Sequence, residues 1–261
     1  MDLGLNGKRA IVAAASSGLG AAIATALAAE GCVVELCSRS RERATATAER
    51  IGAATGGSVT AVEVDVCDDG AVRSWIDAAA ARHGGLDIVI PNAGGPRMAT
   101  FDETAPPDWD AAYSLTLRSA MSFAAASKPH LVPGSSLLFM TSVSVREPIS
   151  ALSMSTVFRA GVASLAKLLA NDWASDGIRV NHLIPGRIAT ERVASLDASV
   201  AESKGLTVEE IRTRNEGTIP LRRYGDPSEY AAAAAFLVSP AASNITGATQ
   251  QVDGGLISEI R

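Results

Sequence analysis

The sequence has few of the side chains that build metal sites and disulfide frameworks. Only three of its 261 residues are cysteine and three are histidine. Cys32, Cys37 and Cys67 match neither the C-x-x-C spacing nor a zinc-ligand spacing, so we predict no metal site and no disulfide scaffold. Isolated cysteines of this kind are typical of small buried side chains in a reducing compartment, and we therefore expect a cytoplasmic protein.

Basic stripes and long apolar runs are also absent. The 23 basic and 28 acidic residues are interspersed and give a formal net charge of −5, which argues against a nucleic-acid partner. No segment reaches the roughly 18 continuous apolar residues that would cross a bilayer, so no membrane association is expected. Lys8 and Arg9 precede a charge-free run that ends at Ala29, as in a signal peptide. That run divides into a strand, a turn and a helix, and we interpret it as part of the fold.

What the sequence does contain is an alternation of short β-branched runs with longer helical patterns. This alternation predicts stacked βαβ units, and hence one doubly wound α/β domain over residues 1–261, a Rossmann fold. We expect seven parallel strands with helices on both faces of the sheet, at residues 9–14, 33–37, 59–63, 87–91, 136–141, 179–184 and 249–252. The one long irregular stretch, at about 189–224, is predicted to be a substrate lid.

A turn that contains glycine follows the first predicted strand and leads directly into a helix. Gly18 and Gly20 would let the backbone approach a pyrophosphate, whose charge a helix N-terminus favours. The second strand, one βαβ unit later, completes the pattern of a dinucleotide site. We therefore predict cofactor contacts from Ala14, Ser16, Ser17, Gly18, Leu19 and Gly20.

The end of the second strand indicates which dinucleotide is bound. An acidic residue there would bind the ribose hydroxyls of NAD, whereas an arginine accommodates the additional phosphate of NADP. Ser38 and Arg39 occupy this place, so NADP(H) is favoured over NAD(H) as the cofactor. The alternative is that Arg39 and Arg41 are solvated loop charges.

Over nearly its whole length the sequence resembles the short-chain dehydrogenase/reductase family, in particular divergent members similar to 3-oxoacyl-[acyl-carrier-protein] reductase. The resemblance rests on the glycine turn and on an ordered set of segments: Asp65-Val66, Asn92-Ala93-Gly94, Ser142, Pro185-Gly186-Arg187-Ile188-Ala189-Thr190, Ile245-Thr246-Gly247 and Asp253-Gly254-Gly255. It implies an oxidoreductase for a carbonyl or alcohol substrate, and a homotetramer or homodimer. It also implies cofactor contacts from Asp65, Val66, Asn92, Ala93, Gly94, Pro185, Gly186, Ile188 and Thr190.

The sequence departs from that family where the chemistry is done. The family uses Asn, Ser, Tyr and Lys, and the matching positions hold Thr116, Ser142, Ser155 and Arg159. The family's glycine turn opens with Thr-Gly, but here Ala13 and Ala14 stand in those places. The methyl group of Ala14 either crowds the turn or is tolerated there at a negative φ.

These replacements remove the usual proton donor. A tyrosine, with an ordinary pKa near 10, can be tuned towards neutrality by an ammonium group, but a serine hydroxyl is a far weaker acid. Arg159 keeps its proton, so it could orient the cofactor or stabilise an anion but could not relay protons. The other candidate proton donors are Tyr113, Tyr224 and His182, which we interpret as packing residues. Loss of a positioned general acid typically costs about 10²–10⁴-fold in rate.

Three functions remain open at this point. The first is an NADP(H)-dependent reductase or dehydrogenase that uses Ser142, Ser155 and Arg159 as catalytic residues. The second is a non-catalytic dinucleotide-binding protein or scaffold. The third, the least favoured, is a lyase like the halohydrin dehalogenases, relatives that place arginine in the lysine position but keep the tyrosine and lose the glycine turn. The substrate is a small molecule that the sequence does not identify, although Arg97, Arg146 and Glu147 lie just beyond predicted strand ends.

Overall fold

The computed structural model describes residues 2–259, which form a seven-stranded parallel sheet covered by helices on both faces. The strands are β1 (Arg9–Val12), β2 (Val33–Ser38), β3 (Val59–Glu63), β4 (Leu86–Ile90), β5 (Leu131–Met140), β6 (Arg179–Pro185) and β7 (Thr249–Val252). Their order is β3-β2-β1-β4-β5-β6-β7, and every neighbouring pair is parallel. The predicted fold class is confirmed. The order reverses between β1 and β4, where open α/β sheets form their ligand crevice.

The helices alternate with the strands along the chain. They are α1 (Gly18–Ala29), α2 (Arg41–Thr55), α3 (Asp69–His83), α4 (Pro106–Tyr113), α5 (Ser119–Ser127), α6 (Ser153–Asp172), α7 (Glu191–Lys204), α8 (Val208–Thr218) and α9 (Pro227–Val238). A π-helical turn, Ser114–Arg118, joins α4 to α5. None of the helices within residues 2–259 is long and apolar enough to span a membrane.

Two apolar layers pack against opposite faces of the sheet. Side chains alternate along β1, so Val12 joins the layer with α1 and α9 while Ile11 joins the layer with α3, α5 and α6. All five residues of β4 are buried, as expected for a central parallel strand that is covered on both faces. The two layers fix the carboxyl ends of the strands, where the site residues lie.

Two strand boundaries differ from the sequence prediction by more than one residue. β1 ends at Val12 because Ala14 has φ 46°, which an extended strand does not allow. β5 begins at Leu131, five residues before the predicted start. Pro133, which lacks an N–H, and Gly134, with φ 94°, lie within this early part of the strand and obscured it in the sequence.

The prediction that residues 189–224 are irregular was wrong, because α7 and α8 occupy most of this stretch. Each helix has a side-chain cap: Thr190 accepts a hydrogen bond from the Val193 N–H, and Thr207 accepts one from the Glu210 N–H. The Thr207-x-x-Glu210 capping box was visible in the sequence and was the signal for α8. The role of this segment as a lid stays a prediction.

Candidate active site

The turn after β1 is held by contacts within the protein. Ala14 has φ 46° and Gly18 has φ 59°, both in the left-handed region. The Asn92 side-chain amide, at the end of β4, donates a hydrogen bond to the Ala14 carbonyl at 3.1 Å. A methyl group on Gly20 would lie 2.8 Å from both the Ala14 oxygen and the Asn92 Nδ2. Gly20 is therefore needed for the packing of α1 on the turn itself, and the negative φ considered for Ala14 is not observed.

The N-terminus of α1 is open to a ligand. Ser17 is the N-cap residue, but its side chain makes no capping hydrogen bond, so the first backbone N–H groups of the helix keep no side-chain acceptor. A cleft of about 480 Å³ adjoins this end of the helix; its lining includes Ser16, Ser17, Gly18, Thr190 and Glu191. Free N–H groups at a helix N-terminus beside a glycine turn fit the phosphates of a dinucleotide.

The predicted adenosine end of the site lies at the ends of β2 and β3. Ser38 is half-buried, and its hydroxyl accepts a hydrogen bond from the Ser40 N–H at 3.3 Å. Arg39 is exposed and makes no hydrogen bond or ion pair within residues 2–259. Asp65 is exposed and accepts from the Cys67 N–H at 3.0 Å, while Val66 is buried. The guanidinium of Arg39 is thus available to a phosphate.

The segments after β4 and β6 meet the glycine turn at the same edge of the sheet. Gly186 pairs with β7 through a hydrogen bond from its N–H to the Val252 carbonyl at 2.9 Å. Ile188 is buried and forms a bridge with Gly225. The Thr190 methyl lies 3.9 Å from where a Cβ of Gly18 would be. The structure therefore brings the segments after β1, β4 and β6 together. These segments also contain the other residues predicted to contact the cofactor, which are Leu19, Ala93, Gly94 and Pro185.

Arg159, on α6, links three parts of the site. Its Nη1 donates to the carbonyls of Met140 at 2.9 Å and Thr141 at 3.4 Å, at the end of β5. Its Nη2 donates to the Gly94 carbonyl at 3.4 Å, after β4. Its Nε donates to the hydroxyl of Ser155, one helical turn earlier, at 3.3 Å. Burial lowers the pKa of Arg159, but an arginine side chain stays protonated in proteins.

Ser142 lies just beyond β5 and caps the short helical turn Val143–Val145. Its oxygen accepts a hydrogen bond from the Ser144 N–H at 3.2 Å, and the Ser144 hydroxyl lies 3.1 Å from it. Ser144 is buried, with 1% of its surface exposed. Sequence reasoning missed Ser144, because a serine four residues after the end of β5 carries no distinguishing signal.

Thr116 is buried in the π-helical turn, where the family's asparagine would be. Its Oγ1 has no hydrogen-bond partner within residues 2–259. Thr116 is not connected by a hydrogen bond to Ser142, Ser155 or Arg159. Wide turns of this kind are frequent at functional sites.

Two of the three tyrosines, all within the described residues, donate their hydroxyl protons within the protein, and the third packs against an aromatic ring. Tyr113 packs on Phe158, with the ring centroids 5.8 Å apart. The Tyr224 hydroxyl donates to Asp197 at 2.7 Å, and burial raises its pKa. Tyr230 is fully buried and donates to a backbone carbonyl of β6 at 3.2 Å.

The three histidines also lie within residues 2–259, and each contacts a carboxylate or hydroxyl group that belongs to none of the candidate catalytic residues. His83 lies 3.4 Å from the buried carboxylate of Glu35, and His130 lies 2.7 Å from Asp77. His182 is buried between the hydroxyls of Thr141 and Thr249, and burial lowers its pKa to about 4. The hydroxyls of Ser142 and Ser155 and the Arg159 guanidinium therefore remain the candidate catalytic groups at this edge.

The loop charges considered for a substrate are mostly paired. Arg97 forms an ion pair with Asp108 at 2.8 Å. Glu147 accepts a hydrogen bond from the Ser258 N–H at 3.2 Å. Arg146 has a buried Nε without a hydrogen-bond partner in residues 2–259. Arg97 and Glu147 thus stabilise the loops in which they lie.

Comparisons with known proteins agree with this geometry. A family model described as enoyl-(acyl carrier protein) reductase matches residues 13–257. D-threitol dehydrogenase of Mycolicibacterium smegmatis is 32% identical over 257 residues, covering 97% of this chain and 94% of that protein. A 3-oxoacyl-[acyl-carrier-protein] reductase of Chlamydia pneumoniae is 31% identical over 258 residues, covering 98% and 99%.

Solved structures agree as well. L-sorbose reductase from Gluconobacter frateurii, solved with NADPH and L-sorbose, superposes with a TM-score of 0.94 at 28% identity, and 100% of both chains is covered. The chain belongs to the short-chain dehydrogenase/reductase family of oxidoreductases.

Proposed function

We propose that the protein is an NADP(H)-dependent oxidoreductase that interconverts a carbonyl and an alcohol, with Ser142 and Ser155 binding the reacting oxygen. The observation that carries this proposal is the hydrogen bond from Arg159 to Ser155, which holds a cation beside a hydroxyl. We match these two residues, by sequence spacing, to the family's lysine and tyrosine. The second support is the proximity of the segments after β1, β4 and β6, which the family uses for its cofactor.

The residues at the cofactor edge suit a phosphorylated dinucleotide. The free N–H groups of α1 would hold the diphosphate, and Asn92 keeps the Ala14 turn in place beneath it. The unpaired Arg39 would pair with the adenosine phosphate. The solved L-sorbose reductase contains NADPH, which is consistent with this choice.

The hydroxyls would act on the substrate oxygen. When bound, the nicotinamide supplies or accepts the hydride. Because the Ser155 oxygen accepts from the Nε of Arg159, its own O–H is left to donate to the substrate. The Ser142 oxygen accepts from the Ser144 N–H, which likewise directs its proton away from the backbone.

Charge on the substrate oxygen would be stabilised by Arg159. Its guanidinium is fixed by three backbone carbonyls and so needs no reorganisation when charge develops. It keeps its proton, so a serine hydroxyl in contact with solvent must deliver the proton to the alkoxide. We expect turnover about 10²–10⁴-fold slower than with a positioned tyrosine.

The segment 189–224 is proposed to cover the substrate. Asp197, buried on α7, accepts hydrogen bonds from Tyr224 at 2.7 Å, Asn215 at 3.0 Å and Arg187 at 3.1 Å. These contacts join α7, α8 and the segment after β6 into one unit. We further propose a cytoplasmic homo-oligomer that associates through α5 and α6, whose Met121, Val157 and Leu168 are exposed.

The test is NADPH oxidation by the purified protein across a panel of aldehydes and ketones. Measurable turnover is expected, and it should disappear in Ser142→Ala. Ser74→Ala, at an exposed position of α3, is the matched control and should keep full activity. Tight NADPH binding without turnover of any carbonyl would instead favour the non-catalytic alternative.

A further inference from the structure

Arg192, in the first turn of α7, reaches across the mouth of the site to the loop after β4. Its Nη2 donates to the Pro96 carbonyl at 2.7 Å. A methyl group on Gly95 would lie 2.9 Å from the same nitrogen, so the guanidinium lies directly against this glycine. The side chain thus connects the proposed lid to the edge of the sheet.

A second guanidinium contacts the same loop. Arg159 donates to the carbonyl of Gly94, the residue before Gly95, while Arg192 donates to the carbonyl of Pro96. Two cations therefore share a segment of three residues, and the charge of Arg192 contributes to the lowered pKa of Arg159.

Neither of these two arginines has a carboxylate within ion-pair distance in residues 2–259, whereas Arg97 pairs with Asp108 and Arg187 pairs with Asp197. Adjacent like charges in a partly desolvated place raise the free energy of the site unless an anion joins them. This is notable in a chain whose formal net charge is −5.

The Arg192 guanidinium lies away from the turn that would hold the cofactor phosphates. Thr190 faces Gly18 at the N-terminus of α1, but the Arg192 guanidinium lies on Gly95, at the end of a different strand. Arg159, which contacts the same loop from α6, is hydrogen-bonded to Ser155, which the proposed function assigns to the substrate. An anion bound by the two guanidinium groups would therefore lie next to the substrate oxygen.

We propose that the substrate carries a carboxylate in addition to its carbonyl, and that Arg192 binds this carboxylate with support from the charge of Arg159. Within residues 2–259, Arg192 uses only one N–H, on Nη2, for a hydrogen bond. Its Nε and Nη1 donors remain, and a planar guanidinium presents such donors to a carboxylate as a fork. This proposal rests on the proposed function, since it assigns the substrate class of the same site.

The test is a calorimetric titration of the NADP⁺-saturated protein with two carboxylates, oxamate and 4-oxopentanoate. They differ in the distance from carboxylate to carbonyl, and their neutral counterparts are oxamide and methyl 4-oxopentanoate. We expect at least one carboxylate to bind, its neutral counterpart not to bind, and Arg192→Gln to weaken binding about 10- to 100-fold. Arg73→Gln, which removes an exposed charge on α3, should change nothing.

Each other outcome overturns the proposal. Absence of binding by both carboxylates, equal binding of a neutral counterpart, or unchanged affinity in Arg192→Gln would show that no carboxylate site exists. If Arg192→Gln weakens NADPH binding instead, the arginine belongs to the cofactor diphosphate. The proposed function fails separately, in the NADPH binding and turnover assays, and the same carboxylate titration can be made on the cofactor-free protein.

Discussion

The Nε of Arg159 donates a hydrogen bond to the Oγ of Ser155 at 3.3 Å, across one turn of α6. These are the two positions that we match, by sequence spacing, to the family's tyrosine and lysine. In this protein the cation therefore polarises the hydroxyl directly, and the other guanidinium nitrogens are bound to backbone carbonyls. The pair is a fixed structural unit as well as a candidate catalytic one.

The first prediction concerns the stability that Arg159 provides. Arg159→Met leaves the carbonyls of Met140, Thr141 and Gly94 without their donor, so we expect the free energy of unfolding to fall by about 1–3 kcal/mol. Arg159→Lys should recover only part of this, because one ammonium cannot reach the ends of both strands. Urea denaturation followed by circular dichroism measures the change, with Arg73→Met as the control on the exposed surface of α3. Equal stability of Arg159→Met and the unmodified protein would contradict the observed contacts.

The second prediction is a gain of activity. Ser155→Tyr combined with Arg159→Lys introduces a phenol whose pKa a neighbouring ammonium can lower, which restores a positioned proton donor. The initial rate of NADPH oxidation with a reactive carbonyl should rise by about 10²–10⁴-fold. Ser155→Tyr alone should raise the rate much less, since Arg159 would remain bound to the backbone carbonyls at the end of β5 and after β4. A folded double variant that is no faster than the parent would show that proton donation does not limit the rate.

The third prediction concerns Ala14, which adopts φ 46° where the family has glycine. An alanine in the left-handed region costs about 1–2 kcal/mol, partly offset by the lower entropy of its unfolded state. Ala14→Gly should therefore raise the free energy of unfolding by about 0.5–1 kcal/mol in urea titrations. Ala13→Gly is the matched control, because Ala13 is buried without a positive φ and should lose stability. Destabilisation by Ala14→Gly would contradict the observed turn.

The fourth prediction is a pH dependence that arises from His182. Burial lowers its pKa to about 4, so between pH 6.5 and pH 4 the unfolded chain binds a proton that the folded protein does not. The stability due to His182 is thus present above pH 6.5 and is lost as pH falls towards 4, by about 1.4 kcal/mol per pH unit. His182→Gln should flatten the acid side of a stability profile measured in urea. An acid slope that is unchanged in His182→Gln would assign the dependence to other groups.

The sequence was sufficient for the features that depend on local pattern. Continuous apolar runs such as β4 and the strand–turn–helix at Gly18 predicted the seven-stranded fold and the edge at which the site lies. The helical nature of 189–224 was missed because its polar, charged helices lack a clear apolar stripe, although the Thr207 cap was present.

Contacts between distant segments could not be predicted. Arg159 meets Gly94, 65 residues away in sequence, and Arg192 meets Pro96 at a separation of 96 residues. No spacing rule connects such positions, because their encounter depends on strand order and on the angle of the lid helix. The same holds for Ala14, whose φ is fixed by the turn that Asn92 supports.

The most direct test of the proposed NADP(H) site is a calorimetric comparison of NADPH and NADH binding to the purified protein and to the Arg39→Ser variant. We expect NADPH to bind at least about tenfold more tightly than NADH. Arg39→Ser should remove this difference and leave the affinity for NADH unchanged. Equal affinities for the two cofactors in the unmodified protein would contradict the role of Arg39. Absence of binding by both would contradict the proposed dinucleotide site itself.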